Sequence, residues 1–343
     1  MQKDRAGIDF SVVIPLFNRA ATIEKAIDSI LSQTVSAKEI IVVDDGSTDD
    51  SVGVVKKMAC PLVKVLVNER NLGATAARNY GAKAATGNWI AFLDSDDFWH
   101  PEKLAAERAA IASGGDDVTA LASNHVLVID DRVSDIATRK ELVSDVADKL
   151  RTENFLGTCS CMTVRRDAFL AIGGFNERLK SCQDWDLWLR LASTGKVIIS
   201  KPPYVFYRFN TRDSISSDGL KRQSGHIHIW KSHIRQGRKF AGDRTSLALT
   251  FADVCMNRNK RKSFRRLCRY ALRAEPRRFR QIGAMLIHGA TSSDYMNYRR
   301  RMERSIEVMQ RVRRGLGRGG GSPREIALPP AAASAPIAPS VRE

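Results

Sequence analysis

No window of this 343-residue sequence reaches the roughly 18 consecutive apolar residues that a membrane-spanning helix needs. An apolar stretch from Phe10 to Phe17 is interrupted by Pro15, ended by Asn18 and followed by no small-residue cleavage site. That pattern argues against an export signal and predicts a cytoplasmic protein. Cysteines are few and scattered, at 60, 159, 161, 182, 255 and 268, so they read as free thiols rather than a disulfide framework. Cys159-Ser-Cys161 has no second Cys or His pair beside it in sequence, which disfavours zinc there. Glycines are missing where two nucleotide-binding motifs require them. The turn after the first apolar run is Pro15-Leu-Phe-Asn18, without G-x-G-x-x-G, and no G-x-x-x-x-G-K-[ST] loop occurs. Hydride transfer and P-loop ATP hydrolysis are thereby disfavoured, and no internal repeat is present.

What the chain does have is positive charge, unevenly placed. Lys and Arg number 55 against 38 Asp and Glu, a net +17. Residues 221–318 hold 26 basic and 6 acidic side chains, whereas residues 1–220 hold 27 and 30. With 43% apolar and 27% charged residues the composition is that of an ordinary folded protein. These boundaries predict a folded domain over 1–220, a basic helical region over 221–314 and a disordered Gly/Pro/Ala tail over 315–343.

The first half alternates strand and helix. Phe10–Pro15, Glu39–Val43, Leu62–Val67 and Trp89–Leu93 are short, largely apolar runs, the pattern of strands buried on both faces. Thr22 reads as the cap of a helix with Ile23, Ala26, Ile27, Ile30 and Leu31 inward. Ser47 with Asp50 three on predicts a second helix start, with Val52 and Val55 facing the core. Ala74–Ala85 forms a small-residue helix ended by Gly87, and Pro101 opens one reaching about Ala112. Val118–Ser123, Val126–Ile129 and Val197–Ser200 predict further strands. The alternation implies an α/β fold, with a largely parallel sheet and helices on both faces.

Such sheets bind ligands at the carboxyl ends of their strands. Those ends read Asn18, then Asp44-Asp45-Gly46-Ser47, then Asn68-Glu-Arg70, then Asp94-Ser95-Asp96-Asp97. Helix capping could account for either acidic cluster alone. Two clusters at equivalent strand ends repel each other unless a cation or donors compensate. A divalent metal is the economical answer, since Asp-x-Asp offers hard oxygens of the kind that hold Mg²⁺ or Mn²⁺ beside a phosphate. Asp45 is then placed to accept a base N–H.

Six ordered motifs carry a resemblance. They are V-V-I-P-L-F-N at 12–18, V-V-D-D-G-S-T-D at 42–49, N-x-G-x-x-x-A-R-N at 71–79, F-L-D-S-D-D at 92–97, G-G-F-N-E at 173–177 and Q-D-W-D-L-W-L-R at 183–190. From Phe10 to about Ser216 the chain resembles the inverting family 2 glycosyltransferases of GT-A fold. The resemblance implies transfer of a sugar from a nucleotide sugar, a UDP-sugar, to a hydroxyl of a glycan or lipid-linked acceptor, in cell-surface polysaccharide or glycoconjugate synthesis. It implies that Asp45 accepts the base N3–H, with Pro15 and Asn18 walling the base pocket and Asp44 beside them. Arg78 and Ser95 would lie on the donor side, and Asp94 and Asp96 would hold Mn²⁺ or Mg²⁺. Asp184 would be the catalytic base. Many relatives carry Glu-Asp where this chain has Gln183-Asp184, so one neighbouring charge is lost. Arg208, Arg212, Ser214 and Ser216 are candidates for touching the diphosphate, a role suited to Arg. Trp185 and Trp188 read as core more than as sugar platforms, and Gly173-Gly174 as a tight turn.

Two other readings compete. A sugar nucleotidyltransferase shares the sheet type but would carry a Gly-rich, basic loop after strand one, which Pro15–Ala21 lacks. A non-catalytic adaptor would instead use the basic segment. Helices are predicted there over Leu247–Met256, Phe264–Ala274, Phe279–His288 and Met296–Arg314. An anionic membrane surface suits such helices. Nucleic acid is disfavoured, because no aromatic stacking pattern accompanies the charge, and a solvated basic face is the plain alternative.

Overall fold

The computed structural model describes residues 7–129, 132–137, 146–151, 154–208, 224–226, 228–229, 232–233, 252, 255 and 261–274. Apolar runs buried on both faces become the centre of a mixed sheet. Strands β1 (Phe10–Leu16), β2 (Glu39–Asp44), β3 (Val63–Val67) and β4 (Trp89–Phe92) are mutually parallel in the order β3-β2-β1-β4. Every residue of β1, β2 and β4 is buried, while β3, at the edge, is only partly so. The sheet continues through β8 (Met162–Arg165), β6 (Val118–Ile129), β9 (Lys196–Arg208) and the short β5 (Phe98–Trp99), with β7 (Arg132–Ala137) paired to β6. Strand β8 runs against both β4 and β6, and β9 runs parallel to β6.

Side chains alternate across the strands, as a period of two dictates. From β1, Phe10, Val12, Ile14 and Leu16 join a core with Ile23, Ile27 and Ile30 of α1 (Ile23–Leu31), Val55 of α2 (Ser51–Lys57) and Leu104 of α4 (Lys103–Gly114). Val13 faces the other way. It joins a second core with Ala77 and Ala82 of α3 (Ala74–Ala84), Phe169 of α6 (Arg166–Ala171) and Trp185, Leu187 and Trp188 of α7 (Gln183–Ala192). Each of these large side chains contributes about 1.5–3 kcal/mol when fully buried. Gly81 lets α3 lie close on the sheet, since a Cβ there would stand 2.5 Å from Val13 Cγ1. The short α5 (Val146–Leu150) packs on α7, where Trp185 Nε1 donates to the Leu150 carbonyl.

Several local expectations change in the fold. Leu31 is 40% exposed, because the inward stripe of α1 ends at Ile30. Thr22 makes no cap bond; its hydroxyl donates instead to the Ser95 carbonyl at 2.8 Å. Helix α2 begins at Ser51 rather than Ser47, since residues 47–49 are hydrogen-bonded to Asn18. The two strands expected at 118–129 are one, β6, and the strand expected to stop at Ser200 continues through Pro202 and Pro203 to Arg208. The prolines are tolerated because β9 is irregular there: Ser123 pairs with Ser200 but the next residue, Asn124, with Pro203.

All described residues belong to one compact unit, residues 1–292. The chain just past the expected boundary at 220 packs into it, with Ile229 inside the core and His226 edge-on to Trp185 at 5.6 Å. Helix α8 (Arg261–Ala274) buries Phe264 and Cys268 and exposes Arg261, Lys262, Arg265, Arg266, Arg269 and Arg273. Ala252 and Cys255, from the helix expected over 247–256, are helical. The helices expected at 279–288 and 296–314 and the tail from 315 lie outside the described residues. Among the described residues no helix is long and apolar enough to cross a membrane.

Candidate active site

The carboxyl ends of β1, β2, β3 and β4 lie side by side, and their loops interlock. Pro15 pairs with Val43 of β2, beyond the last β4 partner of β1, so its missing N–H costs no ladder bond. Asn18 follows in a left-handed conformation (φ 50°), and its Oδ1 accepts from the Thr48 backbone at 2.8 Å. Asp44 accepts from the Ser47 N–H at 3.3 Å. Asp45 is buried and accepts from Asn68 Nδ2 (2.8 Å), Leu72 N (3.0 Å) and Gly73 N (2.7 Å). It thus shapes the 68–73 loop. Gly46 must be glycine: its φ is +78°, and a Cβ would stand 3.0 Å from the Asn71 nitrogen.

The acidic loop after β4 is held by arginines. Arg78, buried on α3, pairs with Asp94, and Arg19 Nε lies 3.4 Å from Asp96 Oδ2. Burial works to lower the Arg78 pKa, but the charge of Asp94, with help from Asp184, drives it upward, so the guanidinium stays cationic. Its Nε has no hydrogen-bond partner. The Asp96 pKa is raised, first by burial and then by the charge of Asp94, against the pull of Arg19. Two hard carboxylates that repel each other in this way are a donor set that fits Mn²⁺ or Mg²⁺.

Asp97, the next residue, is buried, and its pKa is pushed well up by burial and by the charges of Asp94 and Asp96. It accepts from the Ser160 hydroxyl and, at 2.9 Å, from the Arg208 N–H. The Ser160 oxygen also accepts from Asp94 N at 3.0 Å. Ser95 is buried, and its carbonyl receives Thr22. One serine and one carboxylate therefore tie the acidic loop to the end of β9. Arg212, Ser214 and Ser216 lie outside the described residues.

Asp184, on the first turn of α7, accepts from Asn154 Nδ2 and from the Trp185 N–H, each at 2.8 Å. Burial raises its pKa, against those two bonds and the charge of Arg78. Gln183 donates to the Leu179 carbonyl at 3.2 Å. The charges of Asp97, Asp94, Asp96 and Asp184 all add to the burial that raises the Tyr207 phenol. These four charges all act on one phenol, although about 90 positions separate Asp94 from Asp184 in sequence. Trp185 and Trp188 are core side chains. Gly173 and Gly174 do form a turn, with φ of +79° and +68°, and it clamps Asn79. Asn79 Oδ1 accepts from Phe175 N at 2.8 Å, while its Nδ2 donates to Phe175 O at 2.9 Å and to Glu177 Oε1 at 2.8 Å.

Sequence reasoning passed over Arg19, Asn154, Ser160 and the link from Asp97 to Arg208. Arg19 had a signal, lying next to Asn18 at a strand end. Ser160 was visible only as the spacer of a cysteine pair, and Asn154 had none.

The sheet order and the acidic loops at its parallel edge define a GT-A-type fold. The same fold occurs in Staphylococcus aureus TarS (residues 1–349, crystallised with UDP-GlcNAc), at a TM-score of 0.60 and 20% identity over 85% of this chain and 92% of that one. Residues 11–173 match the model of glycosyl transferase family 2. The amylovoran biosynthesis glycosyltransferase AmsB of Erwinia amylovora is 30% identical over 60% of this chain and 71% of its own length. WfgD of Escherichia coli, a UDP-Glc:alpha-D-GlcNAc-diphosphoundecaprenol beta-1,3-glucosyltransferase, is 29% identical over 62% of this chain and 81% of its own. The chain belongs to glycosyltransferase family 2 and is a nucleotide-sugar-dependent glycosyltransferase.

Proposed function

We propose that the enzyme transfers a sugar, with inversion, from a UDP-sugar to a hydroxyl of a glycan or lipid-linked acceptor in cell-surface polysaccharide synthesis. The observation that carries this reading is that Arg78 pairs with Asp94 of the acidic loop and also feels the charge of Asp184 on α7, while Asp96 of the same loop pairs with Arg19. Asp184 takes the acceptor proton as the new bond forms. Asp45, walled by Pro15 and Asn18 and with Asp44 alongside, receives the base. Arg78, Ser95, Arg208 and Arg212 serve the donor side. Mn²⁺ or Mg²⁺ held by Asp94 and Asp96 would supply positive charge to the departing diphosphate. The donor class is supported by WfgD, which uses UDP-Glc, and by the UDP-GlcNAc complex of TarS.

The test is calorimetry with UDP and GDP, with and without Mn²⁺. UDP binding that tightens with Mn²⁺ is expected for the full chain, and Asp96→Ala should lose the Mn²⁺-dependent part while remaining folded. Unchanged Mn²⁺-dependent affinity in that variant would sink the assignment of the metal pair.

A second proposal concerns location, at the inner face of a membrane through the basic region 221–314. It is supported by the six exposed cations of α8. Near an anionic leaflet each Lys or Arg contributes about 1 kcal/mol. Replacing Arg261, Lys262, Arg265, Arg266, Arg269 and Arg273 with Gln should release the protein from anionic vesicles and leave neutral ones unaffected. Equal co-sedimentation of the two proteins would reject the anchor.

A further inference from the structure

The side of α7 opposite Asp184 carries a second cluster with ligand chemistry. Asp186 follows Asp184 by two positions, about 200° around a helix of 3.6 residues per turn, so it points away from the donor site. Its Oδ1 receives two imidazoles, His233 Nε2 at 2.8 Å and His228 Nε2 at 3.1 Å. Its Oδ2 is held by Arg190, through Nε at 2.9 Å and Nη2 at 2.7 Å. All three ligand atoms lie within 4.8 Å of one another.

The backbone is arranged for this meeting. Residues five apart on an α-helix point about 140° away from each other. Ser232 and His233 are instead π-helical, a wider winding in which residues five apart come closer to one face. Gly225 lets the segment approach α7, since a Cβ there would stand 2.5 Å from the Ser181 carbonyl oxygen. Asp186 is only 3% exposed, whereas the side chains of His228 and His233 are 31% and 18% exposed, which opens one side to solvent.

We propose that Asp186, His228 and His233 form a Zn²⁺ site, separate from the donor-metal pair, that fastens residues 228–233 to the helix bearing Asp184. Two imidazoles and a carboxylate are a zinc donor set that leaves a further position for water. Zinc–ligand bonds of about 2.0–2.2 Å set neighbouring donor atoms roughly 3–3.5 Å apart; Asp186 Oδ1 already stands 2.8 and 3.1 Å from the two imidazole nitrogens, and an ion would draw those nitrogens, now within 4.8 Å of each other, to the same spacing. Arg190 orients the carboxylate from behind, as outer-shell donors do, and leaves Oδ1 as the ligand.

The experiment uses the full-length Asp96→Ala protein, so that the donor-metal pair does not contribute and a failure of that assignment leaves this test intact. After chelator treatment, Zn²⁺ is titrated by competition and Co²⁺ is followed by its visible absorption. One ion per chain and a higher melting temperature are expected. His233→Gln retains an N–H donor for Asp186 and keeps the fold, but should weaken Zn²⁺ by at least roughly tenfold and abolish the thermal shift. Absence of Zn²⁺ uptake by the parent, or equal uptake by the Gln variant, would leave a hydrogen-bonded cluster and overturn the site.

Discussion

Asp184→Asn is expected to lower sugar transfer by roughly 10²–10⁴-fold, the range for a lost general base, while UDP and Mn²⁺ binding persist. Asn cannot take the acceptor proton, yet it keeps an oxygen for the Asn154 amide that now reaches Asp184 at 2.8 Å. The sign of the pH dependence follows from the raised pKa, whose chief cause is burial. A base works only when deprotonated, so kcat should fall as pH drops through a value above the ordinary carboxylate range. Loss of the neighbouring Glu charge, replaced by Gln183, leaves burial as the main lever. Stability moves in the opposite sense. A carboxyl whose folded pKa is raised favours the fold at low pH and loses that contribution as pH rises through the folded value. At neutral pH the Asn variant should therefore melt no earlier than the parent. Full transfer by a folded Asp184→Asn protein would show that another group takes the proton.

A stability loss of about 3–5 kcal/mol is expected for Glu107→Gln, because it leaves a buried ammonium without its counter-charge. Lys103 Nζ and Glu107 Oε1 are 2.7 Å apart, and both side chains are 0% exposed. The ammonium also lies 4.0 Å over the Trp99 ring and 3.3 Å from Thr163 Oγ1. Glu107 further accepts from Ser123 and Thr163, each at 2.8 Å, so its carboxylate is the centre of the network. Total stabilities are about 5–15 kcal/mol, so the variant should be close to unfolding at 37 °C. Equilibrium urea unfolding measures the loss. Changing both partners together, Lys103→Met with Glu107→Leu, should recover part of it by removing the orphan charge. A Gln variant within 1 kcal/mol of the parent would show that Lys103 is not held as a cation.

Much of the catalytic half was legible before any coordinates. Both-face burial of β1, β2 and β4 follows from their unbroken apolar runs, and a parallel sheet then brings Asn18, Asp44, Asp45, Asp94 and Asp96 to one edge. Local periodicity reads neighbours two to four residues apart, and those suffice to place strand ends. The remainder depends on register and packing between distant segments. Lys103 and Glu107 look in sequence like an ordinary exposed i,i+4 pair on an Ala-rich helix; only the docking of α4 on the sheet buries them. Asn79 gains its partners 96 and 98 residues away, when the turn at Gly173-Gly174 closes on α3. Asp186 reads as one more acid in an amphipathic helix until a later turn of the chain brings two imidazoles to its oxygen. A side chain's own sequence neighbourhood sets its helix or strand and its face, whereas its charge partners and solvation depend on what the rest of the chain brings against that face.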